Sequence, residues 1–362
     1  MRSVSNIALR WLIVACLLLV SCSNEDPIMT SSYTTIKASA GASVLAAFWL
    51  SADNLVILGY DNAKPMELFY VVERNNEKHL MQLSDDPKCS RYTEYLYPNL
   101  LPDGRLGLIK RCGGRYPDRA PYLQDESYLI AYDWNTGATE QILASSLPNP
   151  RGIGHYSLNP EMTRGVQEYT GLFGTIFWIT PRGSEPITAT VKDQQHSWRI
   201  DENFWALHDY LPATSAGIAR APAWSPDGEK IAFMASLQAI GREGIDRVKV
   251  EWGLYIMTPT SLMPNKILGA IFNVTLMNWA PDSTALLFAG QGDNSEQQGL
   301  WLVSALGDQL HLLAEGSVVS MSWSPDSRRV VAVMCLVGDN CDPTQREIRI
   351  LDVTDLMNTM PR

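Results

Sequence analysis

The stretch Ala223-Trp224-Ser225-Pro226-Asp227-Gly228, followed at once by Ile231-Ala232-Phe233, decides the fold because the chain repeats it. Clean copies are Asn278-Trp279-Ala280-Pro281-Asp282-Ser283 before Leu286-Leu287-Phe288, and Ser322-Trp323-Ser324-Pro325-Asp326-Ser327 before Val330-Val331-Ala332. Weaker copies stand at Trp49-Leu50-Ser51-Ala52-Asp53-Asn54, Leu100-Leu101-Pro102-Asp103-Gly104 and Leu158-Asn159-Pro160-Glu161. Self-similarity at a spacing of roughly 40–65 residues marks a repeat architecture, in which no unit buries its own apolar face alone. Pro presets φ, Asp bonds back to nearby amides and Gly accepts a positive φ, so each copy reads as strand, tight turn, strand.

A third strand follows in every unit, and a fourth in all but the last. Leu300-Trp301-Leu302-Val303 then Leu310-His311-Leu312 is a complete example, whereas the sixth unit offers only Ile348-Arg349-Ile350-Leu351. The β-branched run Tyr33-Thr34-Thr35-Ile36 precedes the first unit and belongs to none. Radial arrays leave only short, protected edges. The expected fold is therefore all-β: a six-bladed β-propeller of four-stranded antiparallel blades, its ring closed by the N-terminal strand. The third copy is degenerate, and without it the count falls to five.

Trp-Ser-Pro-Asp-Gly before an Ile-Ala-Phe-like strand resembles the WD40-like repeat of the TolB-type β-propellers, which also occurs in the propeller domains of prolyl-oligopeptidase-like peptidases. The resemblance covers nearly all of the chain after its leader, strongly in the last three units and loosely in the first three. It implies an extracytoplasmic binding propeller. Two departures qualify it: TolB carries a further domain before its propeller, and the peptidases carry an α/β-hydrolase domain, for neither of which this sequence leaves room.

Residues 1–21 read as a leader, with Arg2 and Arg10 ahead of the apolar run Trp11 to Val20. Leu19-Val20-Ser21-Cys22 resembles the bacterial lipobox, making Cys22 the lipidation candidate; an ordinary signal peptide or a short membrane anchor is the alternative. Residues 22–31 are then a lipidated tether and 32–362 the propeller. A lipid at Cys22 implies a protein of the bacterial cell envelope, anchored to the periplasmic face of the outer membrane or the outer face of the plasma membrane. Cys89, Cys112, Cys335 and Cys341 remain, an even number that favours disulfides in an exported chain. The local pairing is Cys89–Cys112 with Cys335–Cys341, and free buried thiols are the alternative.

Loss of Arg2 and Arg10 leaves 27 basic against 39 acidic residues, a net charge of −12. Such a chain lacks the basic stripe that nucleic acid requires. In a four-stranded meander the first-to-second and third-to-fourth turns share one face, and here they are short. The second-to-third loops and the connections between units lie opposite and are long, so that face is expected to carry function. Its richest segment is Val191–Gly217. There Trp198, Arg199, Phe204, Trp205, His208 and Tyr210 are the binding-face candidates, either as interface anchors or as an apolar cap over the ring. Asp227, Asp282 and Asp326 read as turn formers, and Trp224, Trp279 and Trp323 as packing between units.

No Gly-x-Ser-x-Gly elbow, His-Glu-x-x-His, Cys-x-x-Cys or phosphate-cradling Gly loop occurs. The acidic loops Asp293-Asn294 with Glu296 and Asp339-Asn340 with Asp342 match no Ca²⁺ loop spacing, so neither a metal nor a cofactor is expected. The expectation is a non-catalytic, lipid-anchored propeller whose long-loop face binds a protein, peptide or envelope ligand. The alternative is a hydrolase or lyase acting on an exported glycan or peptide at the channel mouth.

Overall fold

The computed structural model describes residues 33–36, 42–61, 64–73, 77–81, 83, 92–113, 126–145, 153–169, 175–180, 183–186, 189–192, 197–200, 216–238, 251–260, 265–269, 271–292, 297–335, 341 and 345–361. Within the compact unit Ser31–Arg362, strand β1 (Tyr33–Ile36) comes first and joins the last sheet. Blade 1 holds β2 (Ala42–Ser51), β3 (Asn54–Asp61), β4 (Lys64–Val72) and β5 (Glu77–Leu80). Blade 2 holds β6 (Tyr92–Leu100), β7 (Leu106–Gly113), β8 (Glu126–Tyr132) and β9 (Thr139–Ser145). In blade 3 stand β10 (Ile153–Leu158), β11 (Gly165–Tyr169), β12 (Thr175–Thr180) and β13 (Gly183–Pro186). A two-stranded ribbon follows, β14 (Ala189–Lys192) with β15 (Ser197–Ile200). Blade 4 is β16 (Ala216–Trp224), β17 (Ile231–Gln238), β18 (Glu251–Met257) and β19 (Asn265–Gly269). Blade 5 is β20 (Phe272–Trp279), β21 (Ala285–Gln291), β22 (Gln298–Ser304) and β23 (Leu310–Glu315). Blade 6 takes β24 (Val318–Trp323), β25 (Arg329–Cys335), β26 (Arg346–Asp352) and, as its outer strand, β1.

Six four-stranded antiparallel sheets thus form a propeller. The first strand of each blade is innermost, and these strands adjoin around the ring: β2 by β6, β6 by β10, β10 by β16, β16 by β20, β20 by β24, and β24 by β2. Closure follows the expected route. β1 pairs antiparallel with β26, Tyr33 opposite Leu351 and Ile36 opposite Ile348, and Thr35 Oγ1 donates to Glu347 Oε1 at 2.8 Å.

The second strands β17, β21 and β25 carry long buried apolar runs because both of their faces are covered. In β21, Leu286 and Phe288 pack towards blade 4 while Leu287 and Ala289 pack towards blade 6, the two-residue period dividing one strand between two cores. The core is accordingly a series of layers between blades. Val44, Trp49 and Ile57 meet Val331, Val333 and Ile348 across the closure.

The repeated turn has one geometry. The residue after the acid has positive φ in five units: Gly104 (84°), Met162 (54°), Gly228 (77°), Ser283 (60°) and Ser327 (58°). In the fourth, Gly228 N donates to Ser225 O at 2.9 Å and Ser225 N to Lys230 O at 2.8 Å. Ser225 Oγ accepts from Lys230 N at 2.9 Å and donates to Asp227 Oδ1 at 2.5 Å. Burial alone would raise the Asp227 carboxyl, but the Ser225 hydroxyl and the Glu229 amide hold it below the usual range. The repeated Asp is a turn former, as expected from its place in the phrase.

The repeated Trp staples blades together. Trp279 Nε1 donates to Ala223 O of blade 4 at 3.0 Å, and Trp323 Nε1 to Asn278 O of blade 5 at 3.4 Å. Trp224 bonds Gly228 O of its own turn at 3.1 Å, while its backbone amide reaches Ser157 Oγ of blade 3 at 2.9 Å. Trp49 lies under the Arg329 guanidinium of blade 6, 4.4 Å from the ring centre.

Two elements were absent from the sequence expectation, the ribbon β14–β15 and a terminal helix. Helix α1 (Thr354–Thr359) follows β26 where the sixth unit was expected simply to run out. Its Leu356, with Met360 beyond it, is buried in the layer between blades 5 and 6.

The turn geometry makes a paired prediction. At positive φ a Cβ costs about 1 kcal/mol. Gly228→Ala should lower stability by roughly that amount, and Ser327→Gly should leave it unchanged or raise it by a few tenths of a kcal/mol. Chemical denaturation of both variants checks the opposite signs.

Candidate functional site

Every inner strand is irregular near its middle or at its N-terminal end. The register shifts between Val44 and Ala46, Leu96 and Asn99, Ile153 and Tyr156, Arg220 and Ala223, Phe272 and Leu276, and Val318 and Ser320. A bulge bends the strand and re-aims its side chains, and six of them shape the wall of an axial channel. In blades 2 and 4 the bulge contains Tyr97-Pro98 and Ala221-Pro222. Tyr97 has φ 51° and Ala221 φ 48°, although the residue before a proline ordinarily stays extended. The Ala221 amide donates to Glu168 Oε2 of blade 3 at 3.1 Å, in buried surroundings.

Two cavities share Asn99, Tyr156 and Asn278 in their walls and are halves of one channel. The half towards the long loops has a volume of about 300 Å³. Leu45, Phe48, Leu276 and Met321 are among its apolar walls, and its polar groups come from Tyr97, Asn99, His155, Asn278, Ser320 and Arg346. The half towards the short turns has a volume of about 370 Å³, with Pro102, Pro160, Pro226, Pro281, Trp224, Trp279 and Trp323 in its walls and no charged side chain. A mostly apolar recess with a few converging polar groups is the usual form of a ligand site.

Three titratable side chains gather towards the long-loop mouth. Tyr97 packs edge-on against His155, ring centres 4.9 Å apart. The His155 ring retains contact with the cavity yet sits deep among protein atoms, and burial lowers its pKa from 6.5 to about 4. Burial raises Glu168, against the Ala221 amide and the charge of Arg220. Burial also raises Tyr97, reinforced by the charge of Glu168 and opposed by Arg111. No described residue hydrogen-bonds to the His155 ring. A general base is ordinarily held by an orienting partner.

On the same side Cys335, at the end of β25, forms a disulfide with Cys341 of the loop that follows, Cα atoms 5.4 Å apart. Arg346 lies opposite Cys335 in the ladder, and its Nη1 donates to Val44 O of blade 1 at 2.5 Å. The disulfide expected between these two cysteines is thus present. Cys89 lies outside the described residues, and of Cys112 only its place in β7 is described.

Of the binding-face candidates, Trp198 and Arg199 stand in β15, opposite Val191 and Thr190 of the ribbon. The ribbon lies beside β16. Phe204, Trp205, His208 and Tyr210 lie outside the described residues, as do Cys22 and the acidic residues Asp293, Glu296, Asp339 and Asp342. Among the described residues no group of three His, Cys, Asp or Glu side chains could hold a metal ion. Sequence reasoning missed Tyr97, Asn99, His155, Glu168 and Asn278. The available signal was proline inside a strand, in Tyr97-Pro98 and Ala221-Pro222, which marks a bulge.

No family model matches the chain, and no curated protein does. Among solved structures, TolB of Acinetobacter baumannii is 13% identical with a TM-score of 0.45, over 86% of this chain and 63% of that one. The chain therefore spans less than two thirds of that protein's length. The candidate TolB of Agrobacterium tumefaciens is 15% identical with a TM-score of 0.47, over 78% and 82%. The β-propeller domain of the Trilobed protease from Pyrococcus furiosus is 14% identical with a TM-score of 0.41, over 83% and 80%. None of these likenesses assigns a ligand.

His155 makes stability pH-dependent. Its folded pKa lies below its unfolded value, so on acidification the unfolded chain takes up a proton that the folded chain refuses. Stability should fall between pH 6.5 and about 4 on this account. Glu168 acts in the opposite sense, its raised pKa relieving a buried charge as pH drops. Thermal melts across this range should show a shallower decline for His155→Phe than for the parent chain, and equal slopes would contradict the assignment.

Proposed function

We propose that this protein is a lipid-anchored propeller of the bacterial cell envelope that takes a protein or peptide segment at the long-loop mouth of its channel, without catalysis. The observation that carries the reading is the cavity of about 300 Å³ with largely apolar walls and, among its polar groups, the His155 ring, to which no described residue hydrogen-bonds. The Cys335–Cys341 disulfide supports a compartment outside the cytoplasm. The lipobox-like residues ahead of Cys22 and the short tether support anchoring rather than spanning. Trp198 and Arg199, in the ribbon beside blade 4, remain candidates for a second part of the binding face.

A hydrolase or lyase of exported glycans or peptides is the second reading. One observation favours it: the shifted groups of Tyr97, His155 and Glu168 lie near one another at the mouth. The lack of an orienting partner for His155 among the described residues argues for binding instead.

The test is photo-crosslinking in intact envelopes, with a photoreactive residue in place of Leu45. The parent chain should capture one dominant protein or peptide. Replacing residues 201–215 with a short Gly/Ser bridge, or His155 with Ala, should abolish capture while the melting temperature holds. The Cys22→Ala chain should leave the membrane pellet. Capture unchanged in both mouth variants would refute the binding face, and release of cleaved glycan or peptide fragments lost in His155→Ala would favour the enzyme.

A further inference from the structure

We propose that the opposite, short-turn mouth is a second docking site, for a basic peptide segment that carries one large apolar anchor residue. The proposal does not depend on the long-loop reading. Its first support is the recess of about 370 Å³, walled in large part by proline and tryptophan, with no charged side chain among its described lining residues. That volume and lining suit one bulky apolar side chain, the usual centre of an interface.

The second support is charge complementarity. The turn phrase places one acid per blade around this mouth: Asp53, Asp103, Glu161, Asp227, Asp282 and Asp326, all exposed. The six are not equivalent. Asp103 pairs with Arg105 at 2.6 Å in blade 2, and Asp227 with Lys230 at 3.4 Å in blade 4. Asp326 in blade 6 feels the charges of Arg328 and Arg329. Asp53, Glu161 and Asp282, in the alternate blades 1, 3 and 5, have no ion-pair partner among the described residues. Three carboxylates with no ion-pair partner among the described residues thus stand on the turns around an uncharged recess, whose walls mix proline and tryptophan with Asn99, Ser157, Ser225, Asn278 and Ser322.

Most of the nearby cations are engaged: Arg105 with Asp103 and Glu140, Lys230 with Asp227 and the Trp279 ring, and Arg329 over Trp49 and on Ala52 O; exposed Arg328 lies beside Asp326. A partner that placed Lys or Arg opposite Asp53, Glu161 and Asp282 would meet only the neutral donors Asn159 and Thr284 on two of them, and would displace no ion pair among the described residues. Rim charges of this kind add modest affinity each and steer encounter through their sum.

The experiment uses full-length protein in detergent and fluorescein-labelled peptides, read by anisotropy. The probe is Lys-Arg-Gly-Trp-Gly-Arg-Lys. One control replaces its Trp with Ala, and another replaces each base with an acid. The probe should bind with Kd below about 1 mM at low salt and weaken as salt rises. The Ala peptide should bind about tenfold more weakly, a difference of about 1.4 kcal/mol, and the acidic peptide not at all. The Asp53→Asn/Glu161→Gln/Asp282→Asn variant keeps the acceptor oxygens of the turns and should lose about tenfold in probe affinity with an unchanged melt. Pro160→Lys, which puts a cation on the rim, should lose as much. The Gly/Ser bridge over 201–215 should lose nothing, which separates this site from the long-loop mouth. Equal binding of the Trp and Ala peptides, an unaffected triple variant, or no binding of the probe would each overturn the proposal.

Discussion

The pairing of Tyr33–Ile36 with Ile348–Leu351 is the interaction on which the rest of the ring depends. The other blades complete themselves by hairpins along the chain, whereas blade 6 is completed by a strand from the far end of the sequence. Behind that strand lie the layer uniting Val44, Trp49 and Ile57 with Val331, Val333 and Ile348, the Arg346 bond to Val44 O, and the Arg329 stack on Trp49. All three unite blade 6 to blade 1. Loss of β1 would also leave blade 6 with three strands and β26 as its exposed edge.

Closure sets the channel, and the channel separates two chemistries. Towards the long loops the inner strands bulge, and Tyr97, His155 and Glu168 are brought together under burial strong enough to shift all three pKa values. Towards the short turns the repeat itself supplies the wall, with a proline from each of four blades and buried tryptophan edges between them. The residues that make the turns also set the electrostatics of that mouth, because the Asp that caps its own turn still presents a charge to solvent.

Much of the fold was legible because turn chemistry and strand period are local. Pro226-Asp227-Gly228 announces its turn without tertiary help, and the same geometry in Asn159-Pro160-Glu161-Met162 shows that the degenerate third copy is a true blade. The ribbon β14–β15 and helix α1 were not legible, since neither repeats and each is short. The site was harder still. His155, Tyr97 and Glu168 come from two blades and three strands, and nothing in their spacing brings them together. The bulges that aim them are tertiary features, for which proline at 98 and 222 was the only trace. The binding candidates chosen from the Val191–Gly217 insertion lie mainly outside the described residues, while the best-formed cavities are lined by inner strands that the pattern treated as core alone.

The closed ring is the central claim, and amide hydrogen exchange tests it most directly. In the parent chain, the amides of β26 that face β1 should exchange as slowly as those that face β25. A Thr34→Pro/Thr35→Pro chain cannot donate ladder hydrogen bonds from these positions. Exchange should then accelerate in β26 and spread into β2 and β24, leaving blades 3 and 4 protected. Protection in β26, β2 and β24 that is unchanged by the two prolines would contradict closure by the N-terminal strand.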